Sequence, residues 1–185
     1  VTNTHSHHDH TPGNQALLDM TRARFLDCRT VQSDRDIKLD DEKLQVIPTP
    51  GHTADSVSFL ASDFVVTGDT LFNGTVGNCF SGDLDAFFHS LKRLINLPPD
   101  TLIWAGHDYV AESMQAARQI EPDNTNIDVF LKAYDRGRVV SKVADELKIN
   151  PYIRFNAPKM INRLDVKDMP ANTEKERFKL IMEMY

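Results

Sequence analysis

Apolar residues occur along this chain in short runs that end in turn residues, which is the pattern of buried strands. The runs Leu44–Ile47, Phe64–Thr67 and Leu102–Ala105 are apolar and partly β-branched, and they predict strands in the interior of a sheet. In Ser56–Ala61 apolar and polar residues alternate, which predicts a half-buried strand in a hairpin with Phe64–Thr67. A further strand is predicted over Ala23–Cys28.

Other segments carry apolar residues at helical spacing. After Asp83, a suitable N-cap, one stripe consists of Leu84, Phe87, Phe88, Leu91, Leu94 and Ile95. The opposite face is charged, so we expect the stripe to pack on the core. Further helices are predicted up to about Met20 and over Tyr109–Ile120, Asn126–Arg136 and Ser141–Lys148. The residues after Arg154 are interpreted as a polar tail. The alternation of strands and helices predicts an α/β fold.

The segment His5–His10 is dense in metal-binding side chains. Imidazole and carboxylate groups together suit Zn²⁺, Mn²⁺ or Fe²⁺. If the segment is extended, alternate side chains point to one side, so that a single loop can serve two adjacent ions. An expression tag would be an uninterrupted histidine run, and a terminal copper motif needs histidine where this chain has Asn3. A solvated polar terminus is the remaining alternative, and donors elsewhere in the chain decide between the two.

Three such donors, His52, Asp69 and His107, each follow a predicted strand. A glycine precedes each of them, which lets the backbone turn sharply and aims the next side chain. A single Gly-His after a strand is more often an ordinary surface or core histidine. Three donors in order behind His5–His10 favour a common metal site at one edge of the sheet.

Composition narrows the class of protein. The chain has 185 residues, of which 41% are hydrophobic, enough for one domain with a modest extension. Its net charge of −6 argues against a nucleic-acid partner. A long apolar run is lacking, which argues against a membrane partner. Cys28 and Cys79 do not form a disulfide framework, so we expect a reduced, cytoplasmic setting.

The order His-x-His-x-Asp-His, then His, Asp and His, resembles the metallo-β-lactamase superfamily. The matching residues are His5, His7, Asp9, His10, His52, Asp69 and His107. The resemblance implies an αββα sandwich and two divalent metal ions, with Zn²⁺ preferred and Fe²⁺ or Mn²⁺ as alternatives. It implies that His5, His7 and His52 hold one ion, that Asp9, His10 and His107 hold the other, and that Asp69 bridges them. Asp9 and Asp69 are the expected catalytic carboxylates, and a hydroxide shared by the ions is the expected nucleophile.

The second part of the chain is similar to one branch of this superfamily, glyoxalase II, the hydroxyacylglutathione hydrolases. The similarity lies in Glu121-Pro-x-Asn, in Ala144-x-Glu-Leu and in Asn150-Pro-x-x-Arg. It implies a partial metallo-β-lactamase-like domain over residues 1–120 and a small helical region that binds substrate over residues 121–185. The implied activity is hydrolysis of a small acyl thioester, derived from glutathione in that family.

The resemblance also implies substrate-binding residues, which are Asn78, Phe80, Tyr109, Arg154 and Lys159. Tyr109 and Arg154 match the family's tyrosine and arginine, and Lys159 represents its lysine. Asn78 replaces a basic residue and Phe80 a tyrosine, so two bonds to glutathione are lost. A hydrogen bond to a charged group contributes about 1.5–3 kcal/mol, or about 10- to 150-fold in affinity.

The position of His5 near the start of the chain is a second departure from the family, in which several strands precede the first metal motif. We therefore expect the N-terminal strands of the sandwich to be missing from this chain. A trimmed chain and association with a separate fragment both explain this, and a homo-oligomer is compatible with it.

Two other functions fit the same residues. A persulfide dioxygenase would hold a single Fe²⁺ with His7, His52 and Asp69. A fragment that binds metal without catalysis would serve as an interaction module. Oxygen consumption and turnover distinguish these alternatives from a hydrolase.

Overall fold

A single sheet contains four of the five predicted strands. The structure is a computed structural model that describes residues 1–31, 36–39, 41–165 and 171–184. The six-stranded sheet has the order β1-β2-β3-β4-β5-β6. The strands are β1 Asp36–Leu39, β2 Glu42–Pro48, β3 Val57–Leu60, β4 Phe64–Gly68, β5 Leu102–Ala105 and β6 Ser141–Lys142.

The direction of the strands brings three chain segments to one edge. β2 and β4 are each antiparallel to β3, so they run in the same direction, and β5 is parallel to β4. The carboxyl ends of β2, β4 and β5 therefore lie at the same edge of the sheet. His52, Asp69 and His107 follow these ends, as the sequence predicts.

Seven α-helices lie outside the sheet in the described part of the chain. They are α1 Asn14–Met20, α2 Leu84–Ile95, α3 Val110–Ile120, α4 Asn126–Ala133, α5 Val143–Ile149, α6 Pro158–Asp165 and α7 Glu174–Met184. Asp83 caps α2 by accepting a hydrogen bond from the Ala86 backbone N–H, and Phe87, Leu91 and Leu94 are buried. The prediction for α2 is confirmed. The helix predicted over Ser141–Lys148 begins only at Val143, because Ser141–Lys142 pairs with β5.

Two predictions were wrong. The segment Ala23–Cys28 is not a strand, because Leu26 makes only an isolated bridge to Thr2. The last part of the chain, interpreted as a polar tail, contains α6 and α7. These helices bury Met160, Leu164, Phe178 and Ile181 in the main hydrophobic cluster, which also contains residues of the sheet and of α2. Residues 166–170 and 185 of the predicted C-terminal region lie outside the described residues.

The main cluster thus joins the two parts of the chain. Val65 and Ile103 of the sheet, Phe87 of α2 and Phe178 of α7 belong to the same buried group. Phe178 packs edge-on against Phe87, with ring centroids 6.0 Å apart. None of the helices in the described part of the chain has the length and apolar character needed to cross a lipid bilayer.

Candidate metal centre

The histidine-rich segment is turned rather than extended throughout. His8–His10 form one turn of 3₁₀ helix, closed by a hydrogen bond from the His10 backbone N–H to the His7 carbonyl at 3.1 Å. This turn separates His5 and His7 from Asp9 and His10. His8 is exposed.

The first group of donors is His5, His7 and His52. The distance from His5 Nε2 to His7 Nδ1 is 3.1 Å, and that from His7 Nδ1 to His52 Nε2 is 3.0 Å. Two nitrogens bound to the same tetrahedral Zn²⁺ lie about 3.3 Å apart, since each Zn–N bond is about 2.0–2.1 Å long. The three side chains are therefore spaced as ligands of one ion.

The second group of donors is Asp9, His10 and His107. His10 Nε2 and His107 Nε2 are 3.2 Å apart, and His107 Nε2 is 3.3 Å from Asp9 Oδ2. Asp9 Oδ2 is 3.8 Å from His10 Nε2. These distances again match ligands around one ion, and Asp9 has the most exposed side chain of the three.

Asp69 lies between the two groups. Its Oδ1 is 3.2 Å from His10 Nε2, and its Oδ2 is 3.6 Å from His52 Nε2 and 3.5 Å from His107 Nε2. Asp69 Oδ1 is buried and makes no hydrogen bond within the described residues. A buried carboxylate oxygen without a donor is unfavourable unless a cation satisfies it. The donor set and this orphaned oxygen fit a divalent metal, and Asp69 can contact two ions.

Neighbouring oxygen atoms orient the histidine rings of the first group. His52 Nδ1 is 2.9 Å from the carbonyl of Asn78, so it donates its proton there and leaves Nε2 free. Thr4 Oγ1 is 3.1 Å from His5 Nδ1, which leaves His5 Nε2 for a metal. Such partners fix the tautomer of a metal-binding histidine.

Burial keeps His5 and His52 neutral. Desolvation, followed by the positive charges of His10, His52 and His7, lowers the pKa of His5 from 6.5 to about 3. Desolvation is also the largest cause that lowers the pKa of His52. Metal binding requires neutral imidazole, so these two side chains are in the binding form at neutral pH.

Glycine is required before the three donors for different structural reasons. Gly51 and Gly68 have positive φ angles of 150° and 53°, in agreement with the predicted sharp turns. The φ angle of Gly106 is not positive, and glycine is needed there because neighbouring atoms leave no room for a Cβ. A Cβ atom at Gly106 would lie 2.2 Å from Asp69 Oδ1 and 2.8 Å from His10 Cε1.

Three of the predicted substrate-binding residues border the donors. Phe80, which is 67% exposed, packs edge-on against His52 with ring centroids 5.2 Å apart. The ring of Tyr109 is 5.5 Å from that of His107. Asn78 is exposed, and its backbone carbonyl holds His52.

The other two predicted substrate-binding residues are engaged elsewhere. Arg154 donates to Glu121 through Nε at 2.8 Å and through Nη2 at 3.1 Å, and to the Leu147 carbonyl at 2.8 Å. Lys159 Nζ lies 2.5 Å from Asp123. Within the described residues, neither cation makes a hydrogen bond or ion pair with any of the seven donors.

Sequence reasoning missed the groups that support the donors. The Asn78 carbonyl is a backbone atom, so its role has no sequence signal. Thr4 directly precedes His5, but a threonine beside a ligand is not distinctive by itself. Gly106 was identified for its turn, whereas the structure shows that close approach to Asp69 is the constraint.

Comparison with known proteins agrees with this geometry. Residues 27–107 match the family model described as the metallo-beta-lactamase superfamily. A Chromohalobacter salexigens protein named hydroxyacylglutathione hydrolase is 34% identical over 179 residues, covering 87% of this chain and 70% of that protein. A Brucella ovis protein of the same name is 34% identical over 189 residues, covering 92% of this chain and 74% of that protein.

Solved structures show the same fold. The crystal structure of ETHE1 from Myxococcus xanthus matches with a TM-score of 0.66 and 28% identity, covering 99% of this chain and 67% of that one. A metallo-beta-lactamase from Staphylococcus aureus matches with a TM-score of 0.63 and 20% identity, covering 99% of this chain and 55% of that one. The second likeness concerns the fold alone.

Proposed function

Because the chain belongs to the metallo-β-lactamase superfamily, in its hydroxyacylglutathione hydrolase-like branch, we propose that it is a dinuclear metal hydrolase of a small acyl thioester. The ligands of one ion would be His5, His7 and His52. Those of the other would be Asp9, His10 and His107, with Asp69 shared. The observation that carries this proposal is the position of Asp69, whose two oxygens lie 3.2–3.6 Å from nitrogens of both groups.

The chemistry follows from the donor set. When bound, two divalent ions would supply a low pKa for a shared water and polarisation of the acyl carbonyl. Asp69 would hold the ions at a fixed separation, since a carboxylate has two oxygens whereas a neutral imidazole has one free lone pair. The Asn78 carbonyl keeps His52 oriented, and Zn²⁺ is the preferred metal, with Fe²⁺ or Mn²⁺ as alternatives.

The substrate would approach between two exposed aromatic rings. Phe80 and Tyr109 are 67% and 44% exposed and border His52 and His107, respectively. They offer apolar contact to an acyl thioester. Arg154 and Lys159 would have to leave Glu121 and Asp123 before they could bind the carboxylates of glutathione. We therefore propose a glutathione-derived thioester as substrate, bound mainly through its acyl half.

The test is hydrolysis by protein loaded with two equivalents of Zn²⁺. S-D-lactoylglutathione and the lactoyl thioester of N-acetylcysteamine are compared as substrates. The variant Asp69→Asn should lose about 100-fold or more in kcat/KM, because even partners behind the ligands contribute about 10- to 100-fold. Asp63→Asn, at the exposed turn between β3 and β4, is the matched control and should retain activity. Absence of turnover on both thioesters at confirmed two-metal occupancy would refute the proposal.

One observation favours a second candidate, a mononuclear-iron persulfide dioxygenase. His7 Nδ1 and His52 Nε2 are 3.0 Å apart, and His52 Nε2 is 3.6 Å from Asp69 Oδ2, a two-histidine, one-carboxylate set. Protein loaded with one Fe²⁺ would then consume oxygen with glutathione persulfide and leave thioesters intact. Bound metal with neither activity would indicate the non-catalytic interaction module.

A further inference from the structure

Glu146 of α5 is a buried carboxylic acid outside the metal centre. Its side chain forms hydrogen bonds with a distant loop as well as with its own helix end. Its side chain is completely buried. The backbone N–H of Gly74 donates to Glu146 Oε1 at 3.1 Å and to Oε2 at 2.9 Å. Asn150 Nδ2 donates to Oε2 at 2.8 Å. A fully buried acid is rare unless it is paired or serves a specific contact.

The partner of Glu146 is the tip of a short hairpin. An isolated bridge between Leu71 and Val76 closes this hairpin, and residues 72–75 form its tip. The tip packs closely on α3, since Gly74 has a φ of 93° and a Cβ there would lie 2.2 Å from Met114 Cε. Two more bonds hold the tip: Asn73 Nδ2 donates to Ser141 Oγ at 2.7 Å, and Asn150 Nδ2 donates to the Thr75 carbonyl at 2.9 Å.

The two arms of the same hairpin lead into the metal centre. Asp69 lies at the start of the first arm. Gly77 in the second arm packs on the Asp69 carbonyl so closely that a Cβ would lie 1.9 Å from that oxygen. The next residue, Asn78, accepts the hydrogen bond from His52 Nδ1. A shift of the tip would therefore change the spacing of Asp69 and His52.

We propose that Glu146 is a positioning residue for the metal centre, which fixes the spacing of Asp69 and His52 by holding the tip of the 71–76 hairpin. This inference rests on the proposed function, because it presumes that these two side chains bind metal. Among the described residues, Glu146 has no hydrogen bond or ion pair with the metal donors, and it acts through Gly74.

The charge state of Glu146 gives this role a measurable signature. Burial is the largest cause that raises its pKa from 4.5 to about 7, against hydrogen bonds from Ser141, Asn150 and the Gly74 N–H. The nearby charge that acts on it is Asp145 of its own helix, while Ser141 of β6, the Gly74 N–H of the hairpin tip and Asn150 are neutral; Lys142 of β6 is paired with Asp100. All these neutral partners act as donors, which suits an ionised carboxylate, and bonds to an ionised acceptor are stronger. Above pH 7 the tip is therefore held more firmly than below it.

The experiment compares the full chain with Glu146→Gln and with the control Glu112→Gln, which makes the same change at an exposed position of α3. Glutamine keeps the shape but has one acceptor oxygen and no charge. Co²⁺ affinity is measured by competition with a chelator, at about pH 6 and about pH 8. The visible absorption of bound Co²⁺ reports the ligand geometry.

We expect Glu146→Gln to weaken Co²⁺ binding about 10-fold at the higher pH, and by less than about threefold at the lower pH. Its absorption spectrum should shift, whereas Glu112→Gln should match the parent protein. A lower melting temperature with unchanged affinity and spectrum would mean a merely structural role and would overturn the inference. If Glu146→Gln does not fold, Ser141→Ala removes one donor to the same carboxyl and should weaken binding about threefold, and unchanged binding would again overturn it. If the parent protein binds no Co²⁺, it is the proposed function that fails.

Discussion

Replacing Gly106 by alanine adds a single methyl group at the centre of the donor cluster. Alanine can adopt the backbone conformation of Gly106, because the φ angle of Gly106 is not positive. The new Cβ would lie 2.2 Å from Asp69 Oδ1 and 2.8 Å from His10 Cε1. The perturbation therefore acts chiefly on two proposed ligands, while the Gly68 backbone carbonyl carbon, 3.2 Å from the new Cβ, has to give by a few tenths of an ångström.

The size of the effect follows from these distances. A carbon atom approaches an oxygen to about 3.3 Å, so Asp69 or its surroundings must move by about 1 Å. Metal sites tolerate deviations of about 0.2 Å in their ligand distances. A misplacement of 1 Å reduces function by about 100-fold, and the same factor in metal affinity corresponds to about 2.7 kcal/mol.

Thermal unfolding with and without Zn²⁺ measures this loss. At a free Zn²⁺ concentration about 1,000 times the parent Kd, one bound ion stabilises the parent by about 4 kcal/mol. A variant that binds about 100-fold more weakly gains about 1.4 kcal/mol at the same concentration. At about 2–4 °C per kcal/mol, the parent should gain about 8–16 °C in Tm and the variant about 3–6 °C.

Gly13→Ala is the matched control, because nothing lies within 4 Å of a Cβ at Gly13 and its φ is −82°. It should show the same Zn²⁺-induced rise in Tm as the parent. If Gly106→Ala shows that rise as well, the proposed arrangement around Asp69 is refuted.

Three further predictions concern residues outside the donor set. The folded-state pKa of Glu146 is raised to about 7, so the folded protein binds this proton more tightly than the unfolded chain does. The free energy of unfolding of the parent should therefore fall by about 3 kcal/mol between pH 4.5 and 7 on account of Glu146, and urea denaturation of Glu146→Gln should lack this decrease. Arg154→Ala removes the partner of the Glu121 carboxylate, which is 1% exposed, so urea denaturation should show a loss of about 3–5 kcal/mol in the free energy of unfolding. The control Arg163→Ala breaks an exposed ion pair and should change this free energy by less than about 1 kcal/mol. Asn78→Lys restores a cation at the exposed rim and should lower KM for S-D-lactoylglutathione by about 10-fold or more but not KM for the neutral N-acetylcysteamine thioester, and equal changes for both substrates would contradict a role for charge.

The elements that sequence predicted well are those with strong periodicity. β2 to β5 and α2 combine apolar patterns with clear turn or capping residues, and the structure contains each of them. The donors after β2, β4 and β5 converge because strand direction brings those ends together. The convergence was therefore predictable from the order of the elements and from the residue types that follow them.

The elements that sequence missed depend on distant contacts. α6 and α7 are rich in charged residues, and only a few apolar positions, such as Met160 and Phe178, anchor them. These apolar positions are recognised as buried only when α2, against which they pack, is already placed in the fold. The role of Glu146 was equally hidden, since its partner Gly74 lies 72 residues away in the sequence.

The common direction of β2, β4 and β5 separates the chemistry from the turn between β3 and β4. β4 has five residues, Phe64–Gly68, so Ser62 at this turn lies about 16 Å from the edge that carries the donors. A fluorescent label attached at position 62 would then lie at the end of the sheet that is remote from the metal donors. Such a labelled protein could report unfolding without disturbing the reaction it is meant to follow.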